Sequence, residues 1–158
     1  MASSLILYNQ LMDYICKGLI DLSIDQVKLM LVTSDYTPDP THDVLADVQA
    51  SPDPEVVAIA SPDNGYIAGG KALTNQSVVL SDSPAAETFD ANDVTWTALT
   101  ATFRYGILYV NKTISSPAIV NPLLGCITFD TAPADIVING VDYTVQWNIS
   151  GIFTLTKL

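Results

Sequence analysis

Among the 158 residues the scarcest reactive side chains are one histidine, His42, and two cysteines, Cys16 and Cys126. A zinc centre needs several His, Cys or carboxylate ligands at binding spacing, and the cysteines stand far apart with no CxxC pair, so neither a metal knuckle nor a disulfide framework is indicated. The simpler reading makes both small, buried, apolar side chains. A Ser-His-Asp arrangement would have to use His42, which lies in a Pro/Asp-dense stretch and suits a solvated or capping role. No GxSxG elbow, Walker loop or HExxH occurs. Gly65-Tyr66-Ile67-Ala68-Gly69-Gly70 has the glycines of a phosphate loop but lacks the following Lys-Ser/Thr and the helix that phosphate binding requires. Asp90, Asn92 and Asp93 look like part of a calcium loop, without its central glycine or distal glutamate, and read as a solvated turn. Two of the seventeen acids could converge for glycoside hydrolysis, but no spacing points to a pair. The expectation is a protein that is not an enzyme, with no catalytic residue, cofactor or metal.

Charge narrows the partners. The net charge is −11 and the pI about 4.1, while charged residues make up only 15%, below the roughly 25% of ordinary domains. Much of the surface is therefore Ser, Thr, Asn or apolar, which suits packing against other proteins. The six cations, Lys17, Lys28, Lys71, Arg104, Lys112 and Lys157, are scattered singly. They form no patch able to neutralise a run of phosphates, so nucleic acid is not an expected partner. No apolar run approaches the roughly 20 residues that span a bilayer, and no export signal is recognisable, so a soluble chain with no membrane partner is expected.

The elements that would position any site come next. One domain is expected over 1–158, mainly β: an antiparallel β-sandwich or barrel-like fold with one N-terminal amphipathic helix and a long Pro/Asp-rich loop. Leu5, Tyr8, Leu11, Met12, Ile15, Cys16 and Leu19 follow helical spacing, which predicts a helix over 4–19, capped by Ser3 or Ser4 and ended by Gly18. It docks on the sheet or on a neighbouring subunit. The β core is expected over 27–33 and 72–158. Val27, Leu29 and Leu31 face one way and Met30 and Val32 the other, as in a strand covered on both faces. The run 93–110 supplies the centre of the sheet, with Leu99, Ala101, Phe103, Tyr105, Ile107 and Tyr109 on one face. It is two strands broken near Ala98 or one long bent strand. Further strands are predicted over 72–80, 123–129 and 152–155, and Asn139-Gly140 between two alternating runs predicts a two-residue hairpin. The span 34–71 is a long loop, five of whose residues are proline; a short helix capped by Thr41 runs through His42 to Val48 and the rest is an extended surface.

In that order the features resemble a family of small virion proteins of tailed bacteriophages. The most specific pieces are Val32-Thr33-Ser34-Asp35-Tyr36-Thr37-Pro38, Gly65-Tyr66 with Gly69-Gly70, Val94-Thr95-Trp96 and Arg104-Tyr105, and the likeness extends over nearly the whole chain. It implies a structural component of the virion, made in the host bacterial cytoplasm, whose partners are the major capsid protein or other virion proteins and further copies of itself. Acidity and the want of a catalytic constellation favour a capsid decoration, or cement, protein on the outer head surface, clustered as a trimer or similar ring. A tail, neck or fibre-base subunit is the near alternative. A carbohydrate-binding adhesion module is the alternative of another class, with Trp96, Trp147, Tyr66, Tyr105, Tyr109 and Tyr143 as stacking platforms. Expected subunit contacts are Leu5, Tyr8 and Met12 on the helix, Tyr36, Pro38, Pro40, Pro52 and Pro54 in the loop, and Arg104. As the only arginine, Arg104 pairs with an acidic loop of its own chain or with a neighbour. Deleting 52–61 is expected to leave the domain folded but to weaken assembly.

Overall fold

The structure is a computed structural model, and it describes residues 4–50, 54–56, 64–82, 85–130 and 134–156. In chain order the elements are β1 (Ser4–Leu7), α1 (Leu11–Cys16), β2 (Val27–Val32), α2 (Leu45–Gln49), β3 (Lys71–Ala72), β4 (Ser77–Asp82), β5 (Ala85–Asp90) and β6 (Val94–Phe103). They continue with β7 (Tyr105–Val110), β8 (Thr113–Ile114), β9 (Ile119–Val120), β10 (Leu123–Thr128), β11 (Ile136–Val145) and β12 (Phe153–Thr156). All strand pairings are antiparallel. A five-stranded sheet runs in the order β1-β10-β7-β2-β3, beside a three-stranded sheet β12-β5-β4 and the pairs β11-β6 and β8-β9. The mainly β, antiparallel expectation holds.

The five-stranded sheet separates two cores. Val27, Leu29, Leu31, Leu108, Val110, Leu124 and Ile127 enter the larger, with Phe89, Trp96, Leu99, Phe103 and Phe153 from the other sheets. Met30, Val32, Ile107, Tyr109, Leu123 and Cys126 enter the smaller, where Tyr8, Tyr36, Leu45 and Val48 cover them. The period-2 reading of β2 is thus realised on both faces. β7 is the middle strand, with every residue after Tyr105 buried. The run 93–110 breaks at Arg104 rather than at Ala98, and β6 and β7 belong to different sheets. Its odd-numbered residues consequently serve two cores: Leu99 and Phe103 the larger, Ile107 and Tyr109 the smaller.

The N-terminal helix over 4–19 is corrected. Residues 4–7 pair with Gly125–Thr128 as β1, and the helix is only Leu11–Cys16. Leu11 and Tyr14 seat it in the larger core, whereas Cys16 is exposed, against the expectation of burial. A strand edge at β10 offers Ser4–Leu7 a full row of backbone bonds, which outweighs a helical spacing worth only tenths of a kcal/mol per residue.

The hairpin at Asn139-Gly140 is also corrected. Both halves of β11 pair with the same strand, β6, and the chain runs straight through. A type I′ turn needs positive φ at both central residues; here Gly140 has φ 66° and Asn139 is not left-handed. Register shows the mechanism: Asn139 faces Thr100, Val141 faces Leu99, and Tyr143 faces Trp96. Gly140 is an extra residue on β11 and Ala98, at φ 49°, an extra residue on β6, so two bulges offset each other. The Gly140 N–H donates to Thr100 Oγ1 and the Ala98 N–H to Asp142 Oδ1, both at 2.9 Å.

The Pro/Asp stretch, where described, is a cover rather than an extended surface. Tyr36, Leu45, Val48, Pro54 and Val56 are buried. The helix begins later than expected, with Val44 as its N-cap, and Asp47 Oδ2 accepts the Asp43 and Val44 N–H groups. Thr41 instead donates from its N–H and Oγ1 to Asp39. Thr33 N–H donates to the Pro54 carbonyl and Val56 N–H to Leu31, so deleting 52–61 would remove core side chains and backbone bonds and would not leave the domain intact.

Candidate functional site

His42 and Cys126, though not Cys16, lie beside Tyr8 and Tyr36, and there they stitch the fold. The Tyr8 hydroxyl lies 2.9 Å from that of Tyr36, which lies 3.1 Å from His42 Nδ1. This chain crosses the smaller core and ties the cover to the sheet. Burial raises the Tyr8 and Tyr36 phenols above their ordinary value and pushes the Cys126 thiol up to about 12. A thiol kept protonated in this way is a poor nucleophile. The Asp90-to-Asp93 turn holds Trp147: Asp93 Oδ1 accepts its N–H and the Asn92 carbonyl its indole N–H, both at 2.9 Å. Among the described residues no three His, Cys, Asp or Glu side chains are placed to hold a metal.

The glycine phrase is a backbone clasp. The Tyr66 hydroxyl donates to Glu55 Oε1 at 2.9 Å and accepts the Leu31 N–H at 3.2 Å. Gly69 N–H also donates to Glu55, and the Tyr109 hydroxyl donates to the Gly69 carbonyl at 2.7 Å. Burial, then Glu55, raises the Tyr66 phenol, and the same causes push Tyr109 up to about 12. Gly70 has φ 70°, and a Cβ there would collide with the Leu29 carbonyl, so the glycine serves close approach to β2 rather than phosphate.

The described cations are occupied. Arg104 Nε meets Asp135 Oδ1 at 2.8 Å, which is the own-chain alternative. Lys112 bridges Asp25 and the Leu19 carbonyl, Lys17 pairs with Asp13, Lys71 donates to the Thr95 carbonyl, and Lys28 lies over the Tyr109 ring at 5.9 Å.

Of the expected subunit contacts, Tyr8, Tyr36 and Pro54 are buried inside the chain and offer no free surface. Leu5 and Pro38 are half-buried, Pro40 and Met12 exposed, the latter at 47%, and Pro52 lies outside the described residues. The expected stacking aromatics divide likewise: Tyr66, Trp96 and Tyr109 are core, while Tyr105, Tyr143 and Trp147 are half-buried. Tyr143 and Trp147 border a cleft of about 480 Å³ whose lining, including Ser4, Thr144, Gln146 and Asn148, contains no charged residue.

Beyond Met12 and Pro40, exposed surface also lies on elements to which the contact expectation did not point. Every residue of β4 is exposed, including Val79 at 58% and Leu80 at 62%. Beside it a hollow of about 410 Å³ is lined by Ile15, Ile20, Leu22, Val78, Phe89 and Leu155 among others. Nothing within Ser77–Asp82 marks the strand as outermost, because edge position depends on whether another strand lies beyond it. No family model matches the chain, and no curated protein or solved structure matches it either.

Proposed function

We propose that the protein is a non-enzymatic structural component of a tailed-phage virion, and in particular a capsid decoration protein seated on the outer head surface. The observation that carries this reading is how the polar side chains are used. His42, Glu55, Asp39, Asp47, Asp93 and Asp142 hold loops, helix starts and bulges, while exposed apolar side chains lie along β4 and β11 and on the loops at Ile24, Ile67 and Ile149. Such a chain is rigidly stitched and presents contact surface rather than chemistry. The resemblance of its order of motifs to small virion proteins supplies the setting, and a net charge of −11 suits a surface turned away from packaged DNA. Co-sedimentation of the purified protein with heads lacking it tests the placement. Saturable binding to heads and none to isolated tails is the expected result; binding to tails alone would assign it to the tail, neck or fibre base.

A second reading, a carbohydrate-binding module, rests on the uncharged cleft bordered by Tyr143 and Trp147. Apolar floor with hydroxyl and amide groups suits a neutral sugar. Tight, selective binding on a glycan array, lost in Trp147→Ala, would favour this reading over the structural one.

A further inference from the structure

Among the described residues β4 is paired on one side only, with β5, and the register from Ser77 to Asp82 is unbroken. Alternate residues of its other edge turn their N–H and C=O groups outward, ready to accept another strand. Natural edges are usually guarded by lysine, proline, bulges or extreme shortness. β11 is guarded in this way: it is ten residues long, but its edge carries the Gly140 bulge and Asp142. β1 and β12 are four residues each and β3 two. β4 has none of these devices between Ser77 and Ser81.

We infer that β4 is a homotypic assembly edge, on which a second copy of this chain pairs its own β4 antiparallel about a twofold axis, joining two three-stranded sheets into one of six strands. Charge and symmetry select this occupant. Two copies at −11 repel over most of their surface, and Ser77–Ser81 is an uncharged run where they can approach. A strand paired with itself must match residues whose backbone groups point the same way, so the axis passes through a residue and not between two. Centred on Val79, the pairing sets Val78 of one copy against Leu80 of the other and Ser77 against Ser81. The two Asp82 carboxylates then lie roughly 20 Å apart, at about 3.4 Å per residue, well beyond the Debye length of about 8 Å at physiological ionic strength. Val78 and Leu80 share a face with Phe89, Phe153 and Leu155 through the β4-β5-β12 register, with Glu87 between Leu80 and Leu155, and pairing brings the apolar side chains of that face together across both copies. One six-residue strand pair buries less than the roughly 800 Å² per partner of a stable complex, so the association is weak in solution and gains strength where many copies are held together.

The pairing supplies the self-contact that the virion reading calls for and rests on that reading only for its setting; the test uses purified protein, so either can fail alone. In a Cys16→Ser background, Val79→Cys is expected to cross-link into dimers on mild oxidation, and Val137→Cys, on the exposed part of β11, to remain monomeric. In sedimentation at rising concentration the wild-type mass is expected to move from 16.9 kDa toward twice that value, and Val79→Lys and, independently, Leu80→Lys, whose charges would lie directly opposite or about 7 Å apart, to abolish the shift with an unchanged circular-dichroism spectrum. Equal cross-linking at positions 79 and 137, or a concentration shift that survives in either folded lysine variant, would overturn the pairing.

Discussion

In the five-stranded sheet every residue of β7 after Tyr105 is buried, and in the three-stranded sheet every residue of β4 is exposed, although both strands are short and rich in valine, leucine or isoleucine. β7 has a strand on each side, the larger core under one face and the Tyr36-to-Val48 cover over the other. β4, among the described residues, has a strand on one side and contributes no side chain to either core. Composition therefore identifies a strand, while its neighbours decide whether that strand is scaffold or surface. The first sheet carries both cores; the second leaves an exposed strand at its rim.

The largest contrast should appear in thiol chemistry. Cys126 sits in the smaller core with its thiol pushed up to about 12, and Cys16 is exposed. A thiol reagent is expected to modify one sulfhydryl of the native protein at neutral pH and both after unfolding in urea; two fast thiols in the native state would mean that the cover does not seal the sheet. Next in size, Leu108→Ala empties a fully buried site and is expected to lower unfolding stability by about 3 kcal/mol, with the urea midpoint as readout. Tyr36→Phe removes the hydroxyl shared by Tyr8 and His42, and should cost about 1–2 kcal/mol in the same assay. A neutral outcome would show that the cover is held by packing alone. Smallest of all, Leu80→Thr, on the exposed strand, is expected to change monomer stability by less than about 0.5 kcal/mol, so a core-sized loss would move β4 from surface to scaffold.

Much of the five-stranded sheet was legible in the sequence because its strands obey their own period: Val27, Leu29 and Leu31 against Met30 and Val32, and the run Leu123–Thr128. What escaped was decided by distant partners. Ser4–Leu7 shares the apolar spacing of a helix and became a strand because β10 had a free edge to pair. Asn139-Gly140 has the residues of a tight turn and became a bulge because β6 is long enough to pair with both flanking runs. The prolines of 34–56 suppressed regular structure as expected, yet Tyr36, Leu45 and Val48 among them close the second core. Arg104 found Asp135 thirty-one residues away, a pairing that no local spacing announces. A strand was expected within 72–80 and β4 lies there, but its rim position was not legible, because nothing within Ser77–Asp82 says whether another strand lies beyond it.

The central claim is that this chain is a structural part of a virion and meets its partners through surface strands. Cryo-EM of the particle tests it most directly. The account predicts ordered density for this fold on the outside of the head, and density on the tail alone, or none on the particle, would contradict it.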